Sequence, residues 1–242
     1  MAHSQQQEFV KSFSEFFVKN KRMKILELGS YNYNGTIRDL FSNCKYTGVD
    51  VTHGPNVDIV YNGKDLNFNQ NEFDISISCE CFEHNPFWEK NFIDLINFTK
   101  PDGFVLITCA TLGRPEHGTL RTDLKSSPGS MLKWNFYKNL TNKDFEKIRL
   151  KNYFSDYGIW ENKISRDLYF LGIKKGSNFK SQIIEKFSNY IIYKNSIVTK
   201  HNEKIKIKIK NLLKYLIQNY LSKFISDNYF RNLWIFIKKL IS

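Results

Sequence analysis

Proline and glycine are scarce in this 242-residue chain, and neither occurs after Gly176. The five prolines and twelve glycines exclude a collagen-like or low-complexity linker sequence. Beyond Gly176 acidic residues are also scarce: residues 181–242 hold twelve lysines and arginines against three acids, in a chain with a net charge of +12. We therefore predict a near-neutral domain over residues 1–176 and a basic, amphipathic helical extension over residues 177–242.

Cysteines are few, and long apolar runs are missing. The four cysteines have neither zinc-site spacing nor the density of a disulfide framework, which predicts reduced thiols: Cys44, Cys79, Cys81 and Cys109. No stretch approaches the ~20 apolar residues of a membrane-spanning helix, and the first residues lack a signal-peptide pattern. These features predict a cytoplasmic protein. The basic extension adds the alternative of a peripheral position at the inner membrane face.

The sequence does contain short β-type runs that alternate with helical patterns. Apolar residues recur at helical spacing over residues 5–19, and further helices are predicted at GTIRDLF, NPFWEKNFIDLINFTK and TNKDFEKI. The predicted strands are MKILELG, KYTGVDV, VDIVY, FDISISC, FVLITCA (after a PDG turn), YGIWE and DLYFLGIKK, the last two as an antiparallel pair. This order predicts an α/β fold with a doubly wound, mostly parallel seven-stranded sheet. Ligands of such sheets bind at the carboxyl ends of the strands.

The turn after the first strand, in KILELGSYNYNG (residues 24–35), lacks the signatures of two common nucleotide sites. A P-loop needs a lysine after its second glycine, and a dinucleotide site needs glycines where Tyr31 and Asn34 stand. Those side chains obstruct a pyrophosphate but can flank S-adenosylmethionine, which has none. Glu27 can then face its ammonium group, and Asp50 at the end of the next strand can accept from both ribose hydroxyls.

Five motifs in register resemble those of class I S-adenosylmethionine-dependent methyltransferases, closest to enzymes that methylate small molecules and sugars: ILELGSYNYNG, YTGVDV, VDIVYNGKDLNF, FDISISCECFEH and KPDGFVLITCA. The resemblance spans about residues 20–175 and implies a Rossmann-like fold with S-adenosyl-L-methionine as cofactor. It departs from the family where the middle glycine of the turn is missing and where an amide replaces an acid at the adenine amino group. The implied cofactor contacts are Glu27, Gly29, Ser30, Tyr31, Asp50, Val51, Asn62, Gly63, Lys64, Cys79 and Glu80.

Two histidines are candidates for the chemistry of the methyl acceptor. His117 lies in the long irregular segment 111–140, where we expect a functional loop, and His84 follows the fourth strand. A histidine is suited to take a hydroxyl proton near neutral pH, although His84 has the alternative of only packing the next helix. We do not predict a metal, because His84, His117, Glu116 and Asp123 show no ligand spacing. Candidate acceptor contacts are Glu83, Arg114 and Arg121.

The sequence thus favours a methyltransferase that acts on an oxygen of a small-molecule or saccharide acceptor, with a role in surface-glycan assembly. One alternative is an RNA methyltransferase, disfavoured because no Asn- or Asp-Pro-Pro-Tyr motif follows the fourth strand. The other is a non-catalytic S-adenosylmethionine-binding scaffold protein.

The extension has three possible roles: packing on the domain, forming a homodimer, or contacting an anionic membrane. Nucleic acid is disfavoured because the aromatic residues lie within apolar faces. Within the extension, EKIKIKIKN fits a strand by its alternation and a helix by its neighbours.

Overall fold

The computed structural model describes residues 4–33, 35–124, 127–178, 182–202, 214 and 216–241. Seven strands form one sheet in the order β3-β2-β1-β4-β5-β7-β6. The pairs among β1 to β5 are parallel, whereas β7 runs antiparallel to both β5 and β6. The strands are β1 Lys24–Leu28, β2 Lys45–Asp50, β3 Ile59–Val60, β4 Phe73–Cys79, β5 Thr99–Ala110, β6 Phe154–Asn162 and β7 Asp167–Lys174. The predicted doubly wound sheet and its antiparallel final pair are confirmed.

Helices cover both faces of the sheet. Helix α1 (Ser4–Phe13) continues as a π-helical turn (Ser14–Val18), as the pattern over residues 5–19 predicts. On the opposite face lie α2 (Trp88–Phe98) and α3 (Asn142–Glu146). A capping box begins α3: Asp144 Oδ2 accepts from the Thr141 backbone N–H at 3.0 Å and from its hydroxyl at 2.8 Å.

Each face of the sheet buries its own apolar cluster. One cluster holds Leu26, Leu28, Val105 and Ile107 of the strands with Phe92 and Leu95 of α2. The other holds Ile25, Ile75, Ile77 and Leu106 with Phe9 and Phe13 of α1. Successive strand residues point to opposite faces, so nearly continuous apolar runs are required at the centre of a covered parallel sheet.

The prediction of an α-helix at GTIRDLF (residues 35–41) is wrong. The structure has only a 3₁₀ turn there, Arg38–Phe41. Local hydrogen bonds compete with the helix. The Asn32 amide oxygen accepts from the Gly35 N–H at 2.9 Å, and the Thr36 hydroxyl accepts from the Arg38 N–H at 3.0 Å. The chain must also begin β2 at Lys45, whose N–H donates to the Met23 carbonyl at 2.8 Å, which leaves no room for a longer helix.

Smaller differences occur at two strands. The third strand is shorter than VDIVY, with only Ile59 and Val60 paired to β2. The fifth strand begins at Thr99, before the predicted PDG turn. That turn appears as an irregularity within β5: Asp102 has φ of 61°, and the pairing with β4 shifts register between Phe73 and Ile75.

The C-terminal extension contains helix α4 (Ile183–Asn202), a π-helical turn and short helix (Ile217–Leu221 and Ser222–Phe224), and helix α5 (Asp227–Ile241). Ile184, Phe187 and Ile191 of α4 are buried against α1. The ambiguous EKIKIKIKN stretch, residues 203–211, and the first two leucines of the following pattern lie outside the described residues. No described helix combines the length and apolarity needed to span a membrane.

Candidate active site

A cleft opens at the carboxyl ends of β1, β2 and β4, at the point where the strand order reverses beside β1. Including its open mouth, the cleft encloses about 830 Å³ of empty space. Its walls include eight of the predicted cofactor residues: Glu27, Gly29, Ser30, Tyr31, Asp50, Val51, Cys79 and Glu80. The fold therefore brings together the ends of three strands that are far apart in sequence.

The glycine turn after β1 needs a residue without a side chain. Gly29 has φ of 85°, and a Cβ at this position would lie 2.6 Å from the Cβ of Cys81. The N–H groups of Gly29 and Ser30 both donate to the Val49 carbonyl, at 2.8 and 3.1 Å. The turn is thus fixed against β2, with its backbone at the floor of the cleft.

Two buried carboxylates flank this turn. Asp50 accepts from the backbone N–H of Tyr31 at 2.9 Å and of Val51 at 2.7 Å. Burial nevertheless raises the pKa of Asp50. Glu27 accepts from the Tyr46 hydroxyl at 3.0 Å, and its burial raises its pKa to about 8. A cation or hydroxyl donor in the cleft would offset the cost of both buried carboxylates.

Glu80 follows β4 in an unfavourable backbone conformation. Its φ is 51°, a region that residues other than glycine rarely adopt. The Glu80 N–H donates to the Thr108 carbonyl at 2.8 Å, and its carboxylate accepts from the Thr108 hydroxyl at 3.1 Å. Strained residues of this kind cluster at functional sites, and here the strain sets Glu80 into the cleft wall.

The three residues predicted to contact adenine do not line the cleft. Asn62 is exposed at the surface, and its amide oxygen accepts from the N–H groups of Lys64 and Asp65 at 2.9 and 2.7 Å. Neither Asn62, Gly63 nor Lys64 is among the residues that line the cleft. Gly63 instead packs on Trp134, since a Cβ there would lie 2.0 Å from the indole ring. Their contact with adenine stays a prediction.

Several residues of the cleft wall were not identified from the sequence. Trp134 and the segment Ser127–Gly129 come from the long irregular segment, whose length alone indicated function. Asn85 is held by Asn91, whose amide oxygen accepts from it at 2.7 Å. Gln6 of α1 and Tyr61 after β3 also line the cleft, as do Tyr33, Thr36, Ile37 and Cys81. No motif marks these residues, because they reach the cleft from several separate segments of the chain.

His84 and His117 meet at one wall of the cleft. Their Nε2 atoms are 3.3 Å apart, and Tyr137 packs against both rings, at 5.3 and 5.1 Å between centroids. His84 lines the cleft, and His117 contacts His84 from behind. Burial lowers the pKa of His84 well below its usual value and that of His117 to about 4. Both imidazoles are therefore neutral at pH 7.

Glu83 lies beside this pair and is fully buried. Its backbone carbonyl accepts from the Lys138 N–H at 2.9 Å, while its two carboxylate oxygens have no hydrogen-bond partner among the described residues. Burial, reinforced by the charge of Glu80, raises the pKa of Glu83 to about 8.

The two candidate arginines are engaged in ion pairs. Arg114 donates to the buried Asp167 at 3.2 Å. Arg121 pairs with Glu116 at 2.5 Å, and the same carboxylate pairs with Arg231 of α5 at 2.6 Å. Glu116 is thus a link between the His117 loop and the extension. A phosphate or carboxylate clamp by Arg114 and Arg121 stays a prediction.

No protein-family model matches the sequence, and no curated protein matches it. Among solved structures, phosphoethanolamine N-methyltransferase 2 of Haemonchus contortus, in complex with phosphomonomethylethanolamine and S-adenosylhomocysteine, aligns with a TM-score of 0.51 and 16% identity over 70% of this chain and 52% of that one. This chain thus spans about half the length of that methyltransferase.

Two bacterial structures align similarly. The YcgJ protein of Bacillus subtilis has a TM-score of 0.51 and 13% identity, over 72% of this chain and all of that one. The 1,6-didemethyltoxoflavin-N1-methyltransferase of Burkholderia thailandensis, with bound 1,6-didemethyltoxoflavin and S-adenosylhomocysteine, has a TM-score of 0.50 and 13% identity, over 71% of this chain and 79% of that one. The chain has the fold of the class I S-adenosylmethionine-dependent methyltransferases.

Proposed function

We propose that the protein is an S-adenosylmethionine-dependent methyltransferase that acts on a hydroxyl of a small-molecule or saccharide acceptor. The observation that carries this proposal is the cleft itself, in which two buried carboxylates, Glu27 and Asp50, flank a glycine turn at the ends of adjacent parallel strands. That pair is complementary to an ammonium group and a ribose diol. The toxoflavin and phosphoethanolamine methyltransferases of the same fold hold S-adenosylhomocysteine, which supports the choice of cofactor.

The proposed reaction is an in-line displacement. The acceptor oxygen forms a bond to the methyl carbon as the carbon–sulfur bond breaks, with its electron pair left on sulfur, and the hydroxyl proton passes to an imidazole. The protein mainly has to position the two reactants and take the proton. The position of His84 at the cleft wall, with His117 behind it, supports a hydroxyl acceptor, because an imidazole there can accept the proton.

The proposal also includes a role in surface-glycan assembly and a cytoplasmic location. It further includes contact of the extension with a membrane or with a second copy of the chain. The basic charge of the extension supports the membrane contact, since each lysine near an anionic surface contributes ~1 kcal/mol. The burial of α4 and α5 residues on the domain supports the packing role instead.

Asp50→Ala tests the cofactor site. The variant removes the group that would accept from the ribose hydroxyls, so we expect S-adenosylhomocysteine to bind more weakly by about 1–3 kcal/mol. Isothermal titration calorimetry gives the dissociation constants, with Asp39→Ala, which changes an exposed aspartate of the 3₁₀ turn Arg38–Phe41, as the control. Unchanged affinity in Asp50→Ala would contradict the ribose assignment. A wild-type chain that binds no S-adenosylhomocysteine would contradict the whole proposal.

The pKa of Glu27 gives a second test. With a pKa of about 8 in the free protein, this carboxyl is mostly protonated at pH 7. An ammonium group beside it favours the charged form and lowers its pKa, so binding of S-adenosylhomocysteine should release up to one proton per chain. Affinity should therefore rise with pH between about 6 and 8.

Calorimetry at pH 7 in phosphate and in Tris measures the released proton, because the two buffers differ in ionisation enthalpy. Glu27→Gln keeps the shape of the side chain without titrating, and its binding enthalpy should be the same in both buffers after correction for the ligand. Equal proton release in the wild type and Glu27→Gln would show that Glu27 is not the group that faces the ammonium.

A further inference from the structure

Three potential metal ligands converge beside the cleft. Within the part of the chain that the structure describes, this is the single place where three ligand atoms from histidine, cysteine or carboxylate side chains lie within 4.8 Å of one another. They belong to Glu83 and His84, which form a 3₁₀ turn after β4 (Phe82–His84), and to His117 of the irregular segment. Glu83 and His84 are buried, and His117 is mostly so.

His117 is oriented as a ligand would be. Its Nδ1 lies 3.1 Å from the Pro115 carbonyl oxygen, which can only accept, so Nδ1 carries the proton. Nε2 is left with its lone pair pointing toward His84. A backbone carbonyl that fixes the tautomer and ring orientation through the far nitrogen is the usual support of a metal-bound histidine.

The spacing of the two imidazoles fits a shared ion. Two nitrogens bound tetrahedrally at the zinc–nitrogen length of 2.0–2.1 Å are separated by about 3.3–3.4 Å, and the Nε2 atoms here are 3.3 Å apart. A hydrogen bond between the rings would explain this distance equally well. That hydrogen bond would leave the buried Glu83 carboxyl without a partner among the described residues.

Glu83 is the observation that separates the two explanations. Its side chain is 0% exposed and both its carboxylate oxygens are without a hydrogen-bond partner among the described residues. A buried carboxyl group without a hydrogen-bond partner is costly in either protonation state, and buried polar groups are normally hydrogen-bonded, paired or bound to a metal. A cation held between Glu83 and the histidine pair would satisfy the carboxylate and both facing nitrogens together.

We propose that Glu83, His84 and His117 bind one divalent transition-metal ion of the zinc or ferrous class beside the cofactor cleft. Two imidazoles and one carboxylate suit these ions better than Mg²⁺ or Ca²⁺, which prefer oxygen ligands. Three protein ligands leave a coordination position open. If the proposed function holds, that position would take the acceptor hydroxyl, and the ion would lower its pKa and assist its deprotonation.

The test uses the full chain, without an affinity tag and stripped of metal with a chelator. Co²⁺ is the spectroscopic probe, because a tetrahedral or five-coordinate site with nitrogen and oxygen ligands gives visible d–d absorption. Zn²⁺ is titrated by calorimetry. We expect one ion per chain by both measurements, and a higher melting temperature with Zn²⁺, because the ion binds only the folded state.

His117→Ala and Glu83→Gln should each weaken Zn²⁺ binding by at least about 100-fold, since each removes one of three ligands. Glu83→Gln keeps the size and shape of the side chain, so it should remain folded. His53→Ala, which changes an exposed histidine of the loop after β2, should leave metal binding unchanged. Circular dichroism and S-adenosylhomocysteine binding report whether each variant is folded.

Three results would overturn the site: no Co²⁺ or Zn²⁺ binding to the wild type, affinity unchanged in both variants, or a thiolate-to-cobalt charge-transfer band, which would place the ion on a cysteine such as Cys81. S-adenosylhomocysteine binding separates this failure from failure of the proposed function. A chain that binds the nucleoside but no metal refutes the site alone. A chain that binds metal but no nucleoside refutes the methyltransferase proposal and retains the site.

Discussion

Replacing His117 by alanine should lower the rate of methyl transfer by about 10²–10⁴-fold, the usual effect of disabling an acid–base group, because its Nε2 lies 3.3 Å from that of His84 at the cleft wall. The affinity for S-adenosylhomocysteine should stay the same, because His117 is not among the described residues that line the cleft. The measurement is transfer of a labelled methyl group to a panel of hydroxyl acceptors that includes nucleotide-linked sugars, with calorimetry for the cofactor. His53→Ala is the matched histidine control.

His84→Ala is the internal comparison, because His84 is the member of the pair at the cleft wall. A larger loss in His84→Ala than in His117→Ala would make His84 the group that meets the acceptor and His117 its positioning partner. If neither variant loses rate, the acceptor ionises without help, as a phosphate or carboxylate does, and Arg114 and Arg121 become the residues to change.

Treatment of the wild type with a chelator separates two ways in which His117 would act. As a base it needs no ion, so the chelated enzyme should keep its rate while His117→Ala loses it. As a ligand it acts through the ion, so chelation should reproduce the loss and Zn²⁺ should restore it. The two roles use the same lone pair on Nε2, which is why mutation alone does not distinguish them.

Much of the sheet could be predicted from the sequence because its strands carry their own signal. The runs that form β1, β4 and β7 are apolar, short and bounded by turns, which is the pattern of a sheet covered on both faces. The carboxylates at the strand ends follow directly, since parallel strands bring their carboxyl ends to one edge. The residue pattern alone therefore places Glu27 and Asp50 at the same cleft.

The remainder of the site could not be predicted because it depends on contacts between distant segments. Trp134 lies in a segment with no periodic pattern and reaches the cleft by packing on Gly63. Glu83 has no pattern in the sequence that distinguishes it from a surface acid, and only the fold shows it buried beside His117, 34 residues away. The helix predicted at residues 35–41 does not form for a local reason. Hydrogen bonds accepted by the Asn32 and Thr36 side chains outweigh the helical periodicity of the sequence.

Charged residues give the least information in the sequence. Glu116 is a potential metal ligand by residue type, yet it pairs with Arg121 and with Arg231, 115 residues later. Near the same place, Asn139 donates to Asp227 at 2.7 Å. Together with a hydrogen bond from Arg121 to Asn232, these contacts connect the start of α5 to the segment that carries His117. The position of this catalytic candidate therefore depends on the extension.

Phe187→Ala should lower the free energy of unfolding by about 3–5 kcal/mol, as large-to-small changes of buried phenylalanines do. Phe187 of α4 is 0% exposed. Its ring lies 5.2 Å from Phe17, 5.5 Å from Phe16 and 5.9 Å from Phe9, between centroids. Ile192→Ala is the matched control on the same helix: Ile192 is 59% exposed, so its loss should change stability by less than about 0.5 kcal/mol. Urea unfolding followed by circular dichroism measures both.

A chain ending at Gly176 should lose more folding stability than Phe187→Ala does. It loses Ile184, Phe187 and Ile191 together and exposes the apolar face of α1 that they cover. Since folded domains are stable by only about 5–15 kcal/mol, we expect the shortened chain to be insoluble or unfolded. A soluble, folded chain that still binds S-adenosylhomocysteine would contradict this packing role. In that case, flotation with anionic liposomes would test the membrane contact. Binding of the full chain but not of the shortened chain would favour it, and high salt should release the full chain because salt screens the attraction.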